Sequence, residues 1–198
     1  MSDLQLDVFP LTPERIADFE TTLGPHGAYG GCWCMYWRLK RADFEAQKGE
    51  GNRLAMRALV EAASTPGLLG YLDGCPVGWV SVAPRVEFPV LNNSRILKAV
   101  DDQPVWSVNC FYVVRSSRRK GVSVSLIKAA VRFAAEHGAQ IVEGYPVDYR
   151  KGDYPDAYIY TGAMPAFRQA GFVEVLRRSE TRPIMRFYIS NNPVQQDK

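Results

Sequence analysis

The stretch that most restricts the fold runs from Cys110 to Gly138: CFYVVRSSRRKGVSVSLIKAAVRFAAEHG. An apolar, β-branched run is followed by three adjacent cations, Arg118, Arg119 and Lys120, then Gly121, then a helical repeat of apolar residues closed by Gly138. This is a strand, a tight turn and a helix. Cations at a helix N-terminus oppose its dipole by ~0.3–1 kcal/mol each, so a purely structural turn would avoid them. The first-turn amides and the dipole form a ready anion site, and Gly121 lets the backbone approach a ligand closely. Arginine grips phosphate with two parallel hydrogen bonds, so the expected anion is a diphosphate. The pattern is neither G-x-x-x-x-G-K-[ST] nor G-x-G-x-x-G, which removes the main support for nucleotide hydrolysis and dinucleotide redox chemistry.

A chain of 198 residues has the length of one domain and buries roughly 70% of its unfolded surface without help from metal or disulfide. The net charge of +3 is too small to make DNA or a membrane surface the main partner. No window approaches the roughly 20 apolar residues of a membrane span. The start, MSDLQLDVFPLTPER, lacks a basic region followed by an apolar core, so a cytoplasmic protein with reduced thiols is expected. Cys32 and Cys34 form a C-x-C pair, but His26 is the only nearby candidate for a further zinc ligand. No metal is expected, and the cysteines read as half-buried thiols.

The remaining elements follow in order. Residues 4–11 read as a strand, with Leu4, Leu6 and Val8 alternating, and 12–24 form a helix with Thr12 as N-cap and Pro13 at its first position. Residues 27–40, rich in glycine and aromatics, fit neither period. Residues 41–64 give a short helix, a glycine break and a longer helix. Residues 67–84 form a hairpin turning at Asp73-Gly74. Residues 85–103 read as a polar, irregular insertion and 104–114 as a strand. After the long helix come a strand ending at Asp148, a loop, a short helix from 163 to 171 and a final hairpin. The order β-α-α-β-β-β-α-β-α-β-β predicts an α/β (α+β) mixed sheet with helices on both faces. One domain over residues 1–190 and a disordered tail at 191–198 are expected.

Arg118-x-x-Gly121-x-Ser123 after CFYVV resembles the R-x-x-G-x-G/A signature of the GNAT superfamily of acyl-CoA-dependent N-acetyltransferases. Downstream, Ala163 to Phe172 resembles that family's A-x-x-x-Y-x-x-x-G-F segment, with Phe167 where tyrosine is usual. The hairpin LLGYLDGCPVGWVSV is similar to the family's second and third strands. The resemblance covers Leu68 to Tyr188, and the N-terminal helices fit in order only. It implies a largely antiparallel sheet of six to seven strands with a V-shaped splay between the central two.

The resemblance also implies acetyl-CoA as cosubstrate. Its pyrophosphate would sit on the amides of Arg119, Lys120, Gly121, Val122, Ser123 and Val124, with Arg118 carried over by position. Ser123 replaces a usual glycine or alanine. The pantetheine arm would pair with the backbone of Tyr112, Val113 and Val114, pack on Phe167, and leave the thioester near Asn109 to Phe111. In the family an amine attacks the thioester directly, so Cys110 reads as a buried strand thiol.

Phe167 cannot reprotonate a leaving thiolate, and Tyr160 is the candidate hydroxyl, with water as the other source. A lysine-like amine at neutral pH needs roughly 4 kcal/mol to lose its proton, so a base is expected. Asp148 is the first candidate, Glu143 the second, and a water chain to Ser107 or Asn109 the third. Backbone amides on the splayed strand would polarise the thioester carbonyl.

Trp33, Tyr36 and Trp37, the 85–103 insertion, and Asp153 and Asp156 are the candidates for choosing the acceptor. The aromatics either line a cleft or anchor the N-terminal helices. The expected substrate is a small-molecule amine. A non-catalytic acyl-CoA-binding module on the same fold is the alternative. An RNA-binding protein would need a wider basic stripe interleaved with aromatics, and no nucleic-acid partner is expected. The final hairpin offers an edge for a possible homodimer.

Overall fold

In the computed structural model, residues 5–149 and 158–189 are described. Along the chain lie β1 (Asp7–Pro10), α1 (Ile16–Leu23), α2 (Arg41–Ala46), α3 (Glu50–Glu61), β2 (Gly67–Leu72) and β3 (Cys75–Pro84). They are followed by α4 (Pro89–Asn93), β4 (Trp106–Val113), α5 (Val122–Glu136), β5 (Ile141–Gly144), α6 (Met164–Gln169), β6 (Val173–Arg177) and β7 (Pro183–Tyr188). The seven strands form one sheet in the order β1-β2-β3-β4-β5-β7-β6. Only the β4–β5 pair is parallel. This is the mixed sheet that the element order predicts, with the largely antiparallel pairing that the family resemblance implies.

Strand alternation sorts the apolar side chains onto two faces. Leu68, Val80, Val82, Val108, Phe111, Val142 and Met185 meet α5 and α6 through Leu126, Ile127, Ala130 and Phe167. On the other face Leu69, Tyr71, Trp79 and Cys110 pack against Phe19 and Leu23 of α1, Met56 and Val60 of α3, and the segment Trp33 to Met35. A third cluster joins Ala83, Tyr145 and Ile184 to Trp37, Phe88, Leu91 and Leu97. Each fully buried side chain of this size contributes about 1.5–3 kcal/mol.

Two local expectations change. The insertion at 85–103 is not merely irregular: a 3₁₀ turn over Arg85–Glu87 and the short helix α4 carry Phe88 and Leu91 into the core. Its few apolar residues are spaced to reach one patch, a signal hidden by the polar residues around them. In the first helix, Pro13 opens a 3₁₀ turn and the α-helix starts at Ile16; the Thr12 hydroxyl accepts from Arg15 at 3.3 Å and does not cap the helix. The tail at 191–198, together with Asp153 and Asp156, lies outside the described residues.

A buried ionic cluster fixes the insertion to the sheet. Glu143, 1% exposed, accepts from Arg85 at 3.0 Å, Arg186 at 2.8 Å and the Tyr145 hydroxyl at 2.8 Å. Arg186 also grips Asp101 with bonds of 2.7 and 2.9 Å. Burial disfavours the Arg186 charge, but its bonds to Asp101 and Glu143 outweigh that and raise its pKa. Tyr145 is pushed up by burial first and by the Glu143 carboxylate second.

Candidate active site

β4 and β5 pair only over Trp106–Val108 against Val142–Gly144. Beyond Val108 the strands part. A bulge marks the same place: Ser81 faces Cys110 while Val82 faces Val108, so Asn109 is the extra residue on β4. Past the vertex β4 continues along β3 alone, and its backbone groups alternate between β3 and the opening. The Val114 amide donates to Val77 O at 3.0 Å, which places Val114 and, by alternation, Tyr112 on the β3 side. Phe111 and Val113 turn toward the opening. Of the three backbone positions expected to receive an extended ligand, Val113 alone faces the gap.

The opening is partly bridged. The Phe111 amide donates to Tyr160 O at 2.6 Å, and Val147 pairs with Ala163 in an isolated parallel bridge. The chain around Tyr160 therefore crosses between β4 and the continuation of β5.

At the outer end of β4 the chain makes a 3₁₀ turn over Arg115–Ser117 and enters α5. Gly121 takes φ 88° and ψ −2°, a left-handed conformation that favours glycine, and no side chain caps the helix. Arg119 (φ 60°), Lys120 and Gly121 are exposed. The Arg118 Nε donates to Val113 O at 2.9 Å, bracing the turn against the end of the strand. An uncapped helix terminus, a glycine and two solvent-facing cations thus adjoin the splayed edge, and this set fits a diphosphate.

At the vertex Asn109 is 1% exposed, and neither its amide nitrogen nor its oxygen has a hydrogen-bond partner. The hydroxyl of Thr161, 0% exposed in the crossing segment, is likewise unpartnered. Unpaired buried groups of this kind cost about 1–3 kcal/mol each, and such groups gather where a ligand or water completes them.

Tyr160 is stacked on Trp37 with ring centroids 6.3 Å apart. Burial pushes its phenol well above the ordinary value, with Arg182 opposing, so the hydroxyl keeps its proton. Asp148, at the far end of the strand line, pairs with Arg177 at 2.9 Å, and its amide donates to Thr181 O. Glu143 sits inside the ionic cluster between two arginines, out of contact with solvent. Ser107 is tied to the Tyr145 hydroxyl at 2.8 Å.

Phe167 is fully enclosed. Phe111 meets it edge-on at 5.8 Å and Phe172 at 5.0 Å, while Gly144 and Gly162 lie so close that a Cβ on either would overlap the ring. Its ring fills the core under the vertex, buried against Phe111, Gly144 and Gly162. Trp33 and Trp37 are buried as anchors, in separate clusters, whereas Tyr36 stays 37% exposed against Tyr160 and Phe44. Two shallow hollows flank Trp33, one lined by Glu20 and Arg53 and the other by His26 and Lys48; neither includes a residue of the splayed strand.

Sequence reasoning missed Thr161 and the Cys34–Cys110 contact. Nothing local marks either one, because each depends on segments brought together by the sheet.

A seven-stranded sheet opened at its only parallel pair, with an anion-ready helix terminus beside the gap, defines an acyltransferase-like class of fold. The sequence model of the acetyltransferase (GNAT) family matches residues 33–148, more than half of the chain. The protein belongs to that family. No curated protein sequence matches it. Among solved structures it is similar to a GNAT-family acetyltransferase from Streptococcus agalactiae, at 11% identity and TM-score 0.55, over 95% of this chain and 98% of that one. It is also similar to the PaiA N-acetyltransferase of Thermoplasma acidophilum in complex with coenzyme A, at 10% identity and TM-score 0.51, over 93% and 99% of the two chains. The aminoglycoside N-acetyltransferase AAC(6′)-Iy in complex with CoA is a third, at 14% identity and TM-score 0.52, over 87% and 91%. At these identities the likeness is one of fold. Among the described residues no helix is long and apolar enough to cross a membrane, and no group of three or more His, Cys, Asp or Glu is placed to hold a metal ion.

Proposed function

We propose that this protein transfers an acetyl group from acetyl-CoA to a primary amine of a small molecule by direct attack. The observation that carries the reading is the adjacency of two features: the uncapped α5 terminus at Gly121 and the strand edge at Val113 that has lost its neighbour. Together they suit a ligand with a diphosphate at one end and an extended amide-bearing arm at the other.

In this reading the amides from Arg119 to Ser123 hold the diphosphate, with Arg119 and Lys120 adding charge, whereas the Val124 amide, also expected there, already donates to Gly121 O at 3.0 Å. Arg118 acts by fixing the turn to Val113. Val113 pairs with the arm. Asn109 at the vertex and Thr161, next to Tyr160 in the crossing segment, carry unpartnered polar groups. Asn109 is assigned to the thioester carbonyl or to the incoming amine. Tyr160 returns a proton to the leaving thiolate, since burial keeps its phenol protonated. Asp148 accepts the proton from the amine, directly or through water, with Arg177 fixing its carboxylate. Phe167 acts from below, shaping the vertex through Gly144 and Gly162. Acetyl-CoA supplies the activated acyl group.

The test is thiol release from acetyl-CoA across a panel of amines, run beside calorimetry of coenzyme A binding. Release with at least one amine is the expected outcome; cofactor binding with no release from any amine would remove the catalytic reading. The Phe111–Tyr160 hydrogen bond favours a second reading, a non-catalytic acyl-CoA-binding module, because it occupies backbone at the opening. Both readings bind the cofactor, and only the first gives free thiol that depends on amine.

A further inference from the structure

Cys34 and Cys110 are separated by 76 positions in sequence, yet their Sγ atoms stand 3.1 Å apart in the core. Both are buried, at 4% and 7% exposure. A thiol–thiol hydrogen bond is weak, so it does not explain why the chain holds this contact. The segment delivering Cys34 is strained. Ala28 (φ 68°), Trp33 (φ 48°) and Cys34 (φ 58°) all occupy the left-handed region, which residues with a Cβ adopt at an energetic penalty.

Neighbouring contacts hold the segment in place. Gly27 accepts the Trp33 indole so closely that a Cβ there would lie 2.6 Å from the ring. The Asn52 amide nitrogen donates to Gly31 O at 3.0 Å, and Gly49 N to the same carbonyl at 3.0 Å. Strain maintained by such contacts gathers at functional positions. Here its product is one thiol fixed against another.

We propose that Cys34 and Cys110 are an oxidation site, converted to a disulfide by a peroxide. The peroxide transfers one oxygen to a sulfur and leaves as water. The second sulfur then displaces that oxygen as another water, forming the S–S bond. Two S–H bonds and one O–O bond break; the sulfurs lose two electrons and the peroxide gains them. Contact with Cys34 and burial hold the Cys110 thiol protonated, so the reaction is slow. Half-buried Cys32 is the neighbouring thiol, and burial raises it to about 11. Exposed Cys75, at the start of β3, stands apart.

The cross-link ties the segment leading to Tyr36 and Trp37 onto β4, one residue beyond the bulge. A loss of acetyl transfer on oxidation rests on the function proposed above; the cross-link itself does not.

The experiment uses the full chain carrying Cys75→Ser, treated with hydrogen peroxide while folded, then denatured and alkylated. The expected result is a fall in alkylatable thiols from three to one and a bond between the peptide holding Cys32 and Cys34 and the peptide holding Cys110. Cys32→Ser retains that bond, and Cys34→Ser abolishes it. All thiols remaining alkylatable, or a bond joining Cys32 to Cys34, overturns the proposal. The unmodified-sequence chain gives the same peptide map, so a variant that fails to fold leaves the test intact. Oxidised protein that binds coenzyme A but has lost amine-dependent thiol release, restored by dithiothreitol, ties the bond to acyl transfer. Unchanged release from cross-linked protein overturns that link while the mapped bond stands.

Discussion

The Phe111 amide donates to the Tyr160 carbonyl at 2.6 Å, across the gap where β4 has parted from β5. One hydrogen bond thereby ties the backbone that carries the Tyr160 ring to the open stretch of β4. Backbone at the gap and a protonated phenol are positioned by the same contact, so the chemistry proposed for Tyr160 and the shape of the site are linked.

Replacing Tyr160 by Phe removes the hydroxyl and preserves the stacking on Trp37. Amine-dependent thiol release should fall roughly 10²-fold, the usual scale for a positioned acid or base, with coenzyme A affinity unchanged. Asp148→Asn should give a comparable loss, largest below neutral pH where less amine is free. Steady-state kinetics across pH check both, and full activity in both variants would discard the two assignments.

Gly121→Ala forces a Cβ into a left-handed conformation, at about 1–2 kcal/mol. If the loop shifts to relieve that strain, the diphosphate contacts loosen. Coenzyme A should then bind roughly tenfold more weakly, one decade per 1.4 kcal/mol. Isothermal calorimetry at two salt concentrations measures this. Binding should also weaken with salt, because Arg119 and Lys120 are exposed.

Gly144→Ala drives a Cβ into the Phe167 ring. Overpacking of this kind costs about 1–3 kcal/mol. The double variant Gly144→Ala with Phe167→Leu should recover part of the loss, a coupling of opposite sign to simple addition. Urea denaturation of the single and double variants tests it.

Glu143→Ala leaves Arg85 without its carboxylate and deprives Arg186 of one of its carboxylate partners, inside the core. Breaking a buried ion cluster costs about 3–5 kcal/mol. For a chain of this size that lowers the melting temperature on the order of 10 °C. The exposed Arg53–Glu50 pair is the comparison: Arg53→Ala should change stability by less than about 1 kcal/mol.

Acid should destabilise the protein through carboxylates held by arginine. Hydrogen bonds from Arg57 hold Glu20 below its ordinary value of 4.5, and Arg186 does the same for Asp101 below 3.8. A lowered folded-state pKa adds stability that is complete above the unfolded value and disappears as pH falls through the folded one. The melting temperature should therefore stay level from neutrality to about pH 5 and decline below about pH 4.5. Glu20→Gln should lower the plateau and flatten part of that decline in melts at stepped pH.

Most of the sheet and the α5 terminus were legible because each depends on neighbours in sequence. The Asp73-Gly74 turn, the alternation of β3 and the RRKG run before an apolar repeat are all local signals, and the family resemblance rested on them. The core role of Phe88 and Leu91 was hidden because their spacing matters only against Ala83 and Ile184.

By itself, the sequence determined the order of elements, the anion-ready turn at Gly121 and the absence of a tyrosine hydroxyl at Phe167. Only the tertiary structure decided that Phe167 lies wholly in the core, that Glu143 is held between two arginines and that Cys34 meets Cys110. It also decided that Asn109 bulges where the strands part. Backbone propensity acts over a few residues and is written locally, whereas burial and pairing are set by segments tens of residues apart that meet only when the sheet closes.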